Sequence, residues 1–157
     1  MGIRFLRPLL FSFFLIGVLS GGCLSAQQVS PEPESDAAEL SVTANRYVHE
    51  ILPYWQHRLH LEDWTVFILM ARPDDLRSGT LGNIHWDMDK KTATIRVMDA
   101  SGYKASPAAD ILKDMEVTVV HELVHLELAS LPVSDADRSN QEYAIDNLTD
   151  ALLQSKP

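Results

Sequence analysis

The sequence predicts an α+β domain with an N-terminal helix, a small three-stranded antiparallel sheet and two further helices. Three observations predict it. Apolar residues between Ala37 and His60 recur at three- and four-residue intervals. Three short runs rich in β-formers follow one another, and two more segments of helical spacing come after them. Helices that are not interleaved with single strands argue against a parallel α/β fold. At 157 residues and 46% hydrophobic composition, the chain has material for one core and not two.

The first segment is of another kind. Arg4 and Arg7 precede an apolar stretch from Leu9 to Leu19, closed by Ser20, Gly21 and Gly22. A spanning helix needs about 20 apolar residues, roughly twice this stretch, so residues 1–22 read as a cleaved export signal rather than an anchor. The run Leu19-Ser20-Gly21-Gly22-Cys23 resembles a bacterial lipoprotein processing site, in which the cysteine becomes the lipid-bearing first residue. The large aliphatic residue stands one position further back than in the usual pattern, and ordinary cleavage near Gly22 or Ala26 is the alternative. Either route implies a cell-envelope location, periplasmic or membrane-anchored. Cys23 is the sole cysteine, so an internal disulfide is excluded. Residues 23–36, with Pro31, Glu32, Pro33 and Glu34, carry no apolar periodicity and read as a tether to a domain over 37–157.

Within that domain, Leu40, Tyr47, Val48, Ile51, Leu52 and Trp55 form the stripe of the first helix, with a bend or break expected near Pro53. Strands are expected over Trp64 to Met70, Thr80 to Trp86 and Thr92 to Met98, the last two joined as a hairpin through the polar turn 87–91. Ser106 and Pro107 read as cap and first residue of a helix that runs to about Ser130. Pro132 ends it, and Ile145, Leu148 and Leu152 mark a last helix over Asn140 to Gln154. Trp55, Trp64 and Trp86 read as core, and His49, His57 and His60 as surface.

Without Arg4 and Arg7 the chain holds 11 basic against 22 acidic residues, a charge of −11. Only Lys90-Lys91 adjoin as a basic pair in this part. Nucleic acid is therefore excluded as a partner, because phosphate binding needs a basic patch that releases counterions.

The chemistry is concentrated in His121-Glu122-Leu123-Val124-His125. At about 100° per residue the two histidines lie roughly 40° apart around a helix and one turn apart along it, so both imidazoles reach one zinc ion. Glu122 lies beside them on the far side from His121, placed to act as a general base without ligating. A chance match is expected about 0.01 times in a chain of this composition, so context decides between a metal site and two solvated surface histidines. Ile111, Leu112, Met115, Val119, Leu123 and Leu126 line one side of the helix, and Val117, Val120, Val124 and Leu128 nearly the opposite side. A helix buried on two faces is the rigid support a site needs. Of the polar strips between those faces, one holds Lys113, Glu116 and Glu127; the other holds Asp114, Thr118, His121 and His125 and can line a cleft.

No histidine follows His125, so a third ligand comes from an acid or an upstream group. Glu142 is the first choice, because it shares the stripe of Ile145 and Leu152 and a carboxylate turned inward needs a partner. Glu127, Asp135 and Asp137 are the alternatives. Asp146, four residues after Glu142, is placed to accept a hydrogen bond from the non-ligating nitrogen of a histidine. His85 and Tyr143 are weaker candidates for stabilising an oxyanion.

His121-Glu122-Leu123-Val124-His125 followed by Glu142-Tyr143-Ala144-Ile145-Asp146 resembles the gluzincin arrangement of zinc metallopeptidases. The resemblance covers about residues 110 to 150, with a His125-to-Glu142 step shorter than in large gluzincins. The chain looks most like the small minimal-zincin peptidases of bacterial and phage genomes. The resemblance implies one zinc ion on His121, His125 and Glu142, with Glu122 as catalytic base and Asp146 supporting a ligand. It also implies hydrolysis of a peptide or protein substrate by a zinc-activated water. Two other functions fit the residues: a non-catalytic zinc-binding envelope protein, and a zinc hydrolase with a non-peptide substrate.

Overall fold

The computed structural model describes residues 33–104, 106–131 and 137–157, with the burial of side chains described from residue 36 onward. The expected export signal, Cys23, most of the expected tether and Asp135 lie outside the described residues.

Helix α1 spans Pro33–Arg58, four residues earlier than expected and inside the predicted tether. It also runs through Pro53 without interruption. A mid-helix proline removes one hydrogen bond and costs about 3 kcal/mol. Val48, Ile51, Leu52 and Trp55, on both sides of it, are buried in the core, and that packing outweighs the loss. The helix closes where Leu61 N–H donates to Gln56 O (2.8 Å), with His60 in the left-handed region at φ 54°.

Three strands follow: β1 (Thr65–Ala71), β2 (Gly82–Asp87) and β3 (Thr92–Met98). The hairpin β2–β3 forms as expected, with Ile84 opposite Ile95 and Trp86 opposite Ala93. Strand β1, however, pairs in parallel with β3, so the sheet is mixed, in the order β1-β3-β2, and not wholly antiparallel. The reason lies in residues 72–81. They carry the chain from the end of β1 past the end of β3 to the far edge, tied down by Asp99 N–H to Ala71 O (2.8 Å) and Met98 N–H to Leu81 O (2.7 Å). Leu76 is buried beneath this crossing. Ile68, Ala93, Ile95 and Val97 turn into the core, whereas Phe67, Leu69, His85 and Arg96 stay exposed on the outer face.

Helix α2 spans Ala108–Glu127. Pro107 takes the cap position, one residue later than expected, because the Ser106 hydroxyl points back to Lys104 O (3.5 Å) instead of capping. Helix α2 packs against β2, β3, α1 and α3, which accounts for the two apolar faces read from its sequence. Met115, Val119, Val120 and Leu123 are all fully buried. Helix α3 (Arg138–Gln154) lies against α2 through Ile145 and Thr149, its two buried residues. Among the described residues no helix is long and apolar enough to cross a membrane.

Candidate metal centre

His121 and His125 stand one turn apart on α2, and α3 brings Glu142 across from them. The Nε2 atoms of the two histidines are 3.1 Å apart. Glu142 Oε2 is 3.6 Å from His121 Nε2 and 3.3 Å from His125 Nε2. This group could hold a metal ion. In a tetrahedral site with bonds of 2.0–2.1 Å, neighbouring donor atoms are about 3.3–3.4 Å apart, and the three observed edges bracket that value. Two imidazoles and one carboxylate are also a donor set for a transition metal rather than for calcium or magnesium, which take oxygen ligands.

Both histidines are mostly buried, with side chains 23% and 18% exposed, whereas Glu142 is 48% exposed. Glu142 thus shares a helix with core residues but does not face the core as its stripe suggested. It sits near the start of α3 and faces the imidazoles at the rim of the cleft. Asp146 Oδ1 is 3.2 Å from His121 Nδ1. A proton held on Nδ1 by that carboxylate leaves the Nε2 lone pair directed at Glu142 and His125. Burial lowers the pKa of His125, and the His121 ring adds to the effect while Glu142 and Asp146 oppose it. A neutral ring is the form that ligates.

Glu122 is buried, and no hydrogen bond or ion pair holds it among the described residues. Burial, then the negative charge of Glu142, pushes its carboxyl up to about 7. That is the range in which a carboxyl both takes and gives a proton near neutral pH. Gly82 of β2 lies beside it: a Cβ there would collide with Thr118 Cγ2 and Arg96 O, and would stand in ordinary contact, 3.5 Å, with Glu122 Oε1.

The donors and Glu122 open onto a cleft of about 580 Å³ between β2, α2 and the start of α3. Arg77, Thr80, Ile84, Trp86 and Arg138 complete its walls. Next to it, about 360 Å³ of space is lined by Trp86, Leu128, Ala129, Leu131 and Gln141. Trp86 is half-buried, packing against the core that holds Trp55 and Trp64 while it also lines the cleft. Neither His85 nor Tyr143 lines this cleft. His85 points to the outer face of the sheet, and Tyr143 is 71% exposed. Glu127 and Asp137 are exposed and absent from the donor group.

Compared with known proteins, the chain matches no family model, no curated protein and no solved structure. Its functional reading rests on residues and geometry.

A second buried carboxylate, with no local sign in the sequence, lies on the far side of α2. Glu116 accepts hydrogen bonds from Tyr47 OH (2.6 Å) and Trp55 Nε1 (2.8 Å), and Lys156 Nζ lies 2.5 Å from it. Burial pushes its pKa up, but the bonds from Lys156, Tyr47 and Trp55 outweigh burial and hold it below the usual value. Read from helical spacing alone, Glu116 belongs to a polar strip with Lys113 and Glu127; its partners are 40 to 69 residues away in sequence.

Proposed function

We propose that this chain is an exported zinc metallopeptidase of the minimal-zincin kind, with His121, His125 and Glu142 as ligands and Glu122 as general base. The observation that carries the reading is the triangle of donor atoms, with edges of 3.1, 3.3 and 3.6 Å, beside a buried carboxyl outside the ligand set. Three protein ligands are the number found in catalytic zinc sites, whereas structural sites close with four. When bound, the ion polarises a carbonyl and lowers the pKa of water. The chain's own part is proton transfer and positioning. Glu122 takes the proton of the attacking water and delivers it to the leaving amine nitrogen, so that one carboxyl serves both halves of hydrolysis. Strand β2 has β3 as its strand partner, and its residues Ile84 and Trp86 line the cleft, so an extended peptide can add along the free edge of β2. Asp146 fixes the ring of His121. Export and lipid on Cys23 belong to the same proposal: labelled palmitate is expected to enter wild type but not Cys23→Ser.

The test combines metal analysis of the purified protein with cleavage of a mixed peptide library. About one zinc per chain is expected, with binding strongly weakened in His121→Ala, His125→Ala and Glu142→Ala. Glu122→Gln is expected to keep zinc while losing at least the 10²- to 10⁴-fold typical of an acid–base group. Activity that survives Glu122→Gln refutes the assigned base. A zinc-loaded wild type that cleaves nothing moves the assignment to the non-catalytic envelope protein.

A further inference from the structure

The metal centre is divided between two helices. Its imidazoles ride on α2 and its carboxylate on α3, so the donor triangle exists only while the two helices hold register. Along α3 only Ile145 and Thr149 are fully buried, about 6 Å apart along the axis, with Leu152 and Leu153 packed partly buried against the core further on, and the Thr149 hydroxyl is buried with no partner among the described residues. Glu142 is half-exposed and takes its position from the helix that carries it.

A second anchor lies beyond the far end of α3. Lys156 Nζ is 2.5 Å from Glu116 Oε1 and 5.8 Å from the ring centroids of both Tyr54 and Trp55. Beside it, Arg58 Nη2 donates to Ser155 Oγ (2.7 Å). The socket is rigid, because Glu116 is buried and already fixed by Tyr47 and Trp55. Glu116 also belongs to α2, the helix that carries both histidines.

We propose that the Lys156–Glu116 pair is a latch that fixes α3 against α2 and so positions Glu142 at the metal centre. This rests on the reading that the triad binds zinc. At about 1.5 Å per residue the latch lies roughly 16 Å from Ile145, against roughly 12 Å for the partly buried Leu153, so it extends the baseline beyond the last apolar contact and ties that end to α2 by a charged pair. Without it, a tilt of about 10° around Ile145 moves residue 142 by roughly 0.8 Å, with Ile145 roughly 4.5 Å away along the axis. That exceeds the tolerance of about 0.5 Å within which a site keeps its geometry. Lys156 and Glu116 are thus positioning residues that touch neither metal nor substrate.

The test is zinc affinity of the full chain, measured by competition with a chromophoric chelator at a temperature where circular dichroism shows each variant folded. Lys156→Met, which keeps the aliphatic stem, is expected to weaken zinc binding about 10-fold or more, the scale of residues that orient ligands. Lys156→Arg is expected to restore most of the affinity. In a Glu142→Ala background, Lys156→Met should have no further effect, because the latch acts through Glu142. Lys156→Met strands a buried carboxylate, so Glu116→Gln/Lys156→Met replaces it if the single variant fails to fold. A wild type that binds zinc as expected, with affinity that Lys156→Met leaves unchanged or lowers equally without Glu142, overturns the latch alone. A wild type that takes up no zinc overturns the latch and the metal assignment together.

Discussion

Gly82 offers the sharpest test of how β2 is seated on α2. A methyl group there would overlap Thr118 Cγ2 and approach Arg96 O to 2.7 Å. Neither neighbour yields easily. Arg96 O belongs to the backbone of the central strand, and the Thr118 hydroxyl is tied to Asp114 O at 2.8 Å. Relief requires β2 to lift from the helix, and forcing one methyl group into a packed contact costs about 1–3 kcal/mol. With an unfolding entropy of about 2.1 cal/mol/K per residue over roughly 120 ordered residues, Gly82→Ala should lower Tm by roughly 4–12 °C. The assay is thermal unfolding by circular dichroism in chelator, with Gly79 as a control. Gly79 has φ +83° and open space around its Cβ position, so it is glycine because of its backbone and not for lack of room. Asparagine tolerates that backbone conformation, so Gly79→Asn should be nearly neutral while Gly82→Asn is worse than Gly82→Ala. A Gly82→Ala protein with Tm within about 1 °C of wild type would refute the packing argument.

Three further outcomes are expected. Because Glu116 has a depressed pKa in the folded chain, its ionised form adds stability above the ordinary value of 4.5, and that stability is lost as pH falls through the folded value. The Tm gap between wild type and Glu116→Gln in chelator should accordingly be wide at pH 7 and narrow as the pH falls below 4.5; a gap independent of pH would show that charge has no part in it. Asp146→Asn should weaken zinc binding nearer 10-fold than 100-fold, because Asp146 is largely exposed and therefore screened; a chelator-competition titration reads this directly. Ile145→Ala removes a fully buried side chain and should cost about 2–5 kcal/mol in urea unfolding with an unchanged m-value.

The sequence made α2 legible because its constraints are local. Two apolar faces and a His-Glu-any-any-His spacing fall within one helix, and the periodicity alone separates buried from cleft-lining positions. The hairpin was legible for the same reason, with its polar turn between two β-rich runs. Strand β1 was not. Its outer positions Phe67 and Leu69 are as apolar as its inner ones, so its pattern encodes neither face nor direction, and only the ten-residue crossing behind β3 decides that it runs parallel. The helical stripe points to Glu142, which stands in the group that could hold a metal ion, but the stripe places it inward where the geometry sets it at a rim. Glu116 shows the limit most clearly. A glutamate among charged neighbours on a helix looks solvated until Tyr47, Trp55 and Lys156 arrive from elsewhere in the chain.

The strand order also bears on how the chain assembles. Strands β2 and β3 are separated by a short turn, so their pairing closes a small loop, while β1 must wait for β3 to be synthesised and then pair with it, Thr65 with Thr92, over a loop that contains all of β2. Short closures come at lower entropic cost and form earlier. The cleft wall therefore forms first, from nearest neighbours in sequence, and the edge farthest from the chemistry docks last. Slow or faulty docking of β1 leaves Phe67 and Leu69 beside an unpaired strand edge, so the vulnerable moment in this protein's life lies in its folding and on the side of the sheet away from the histidines.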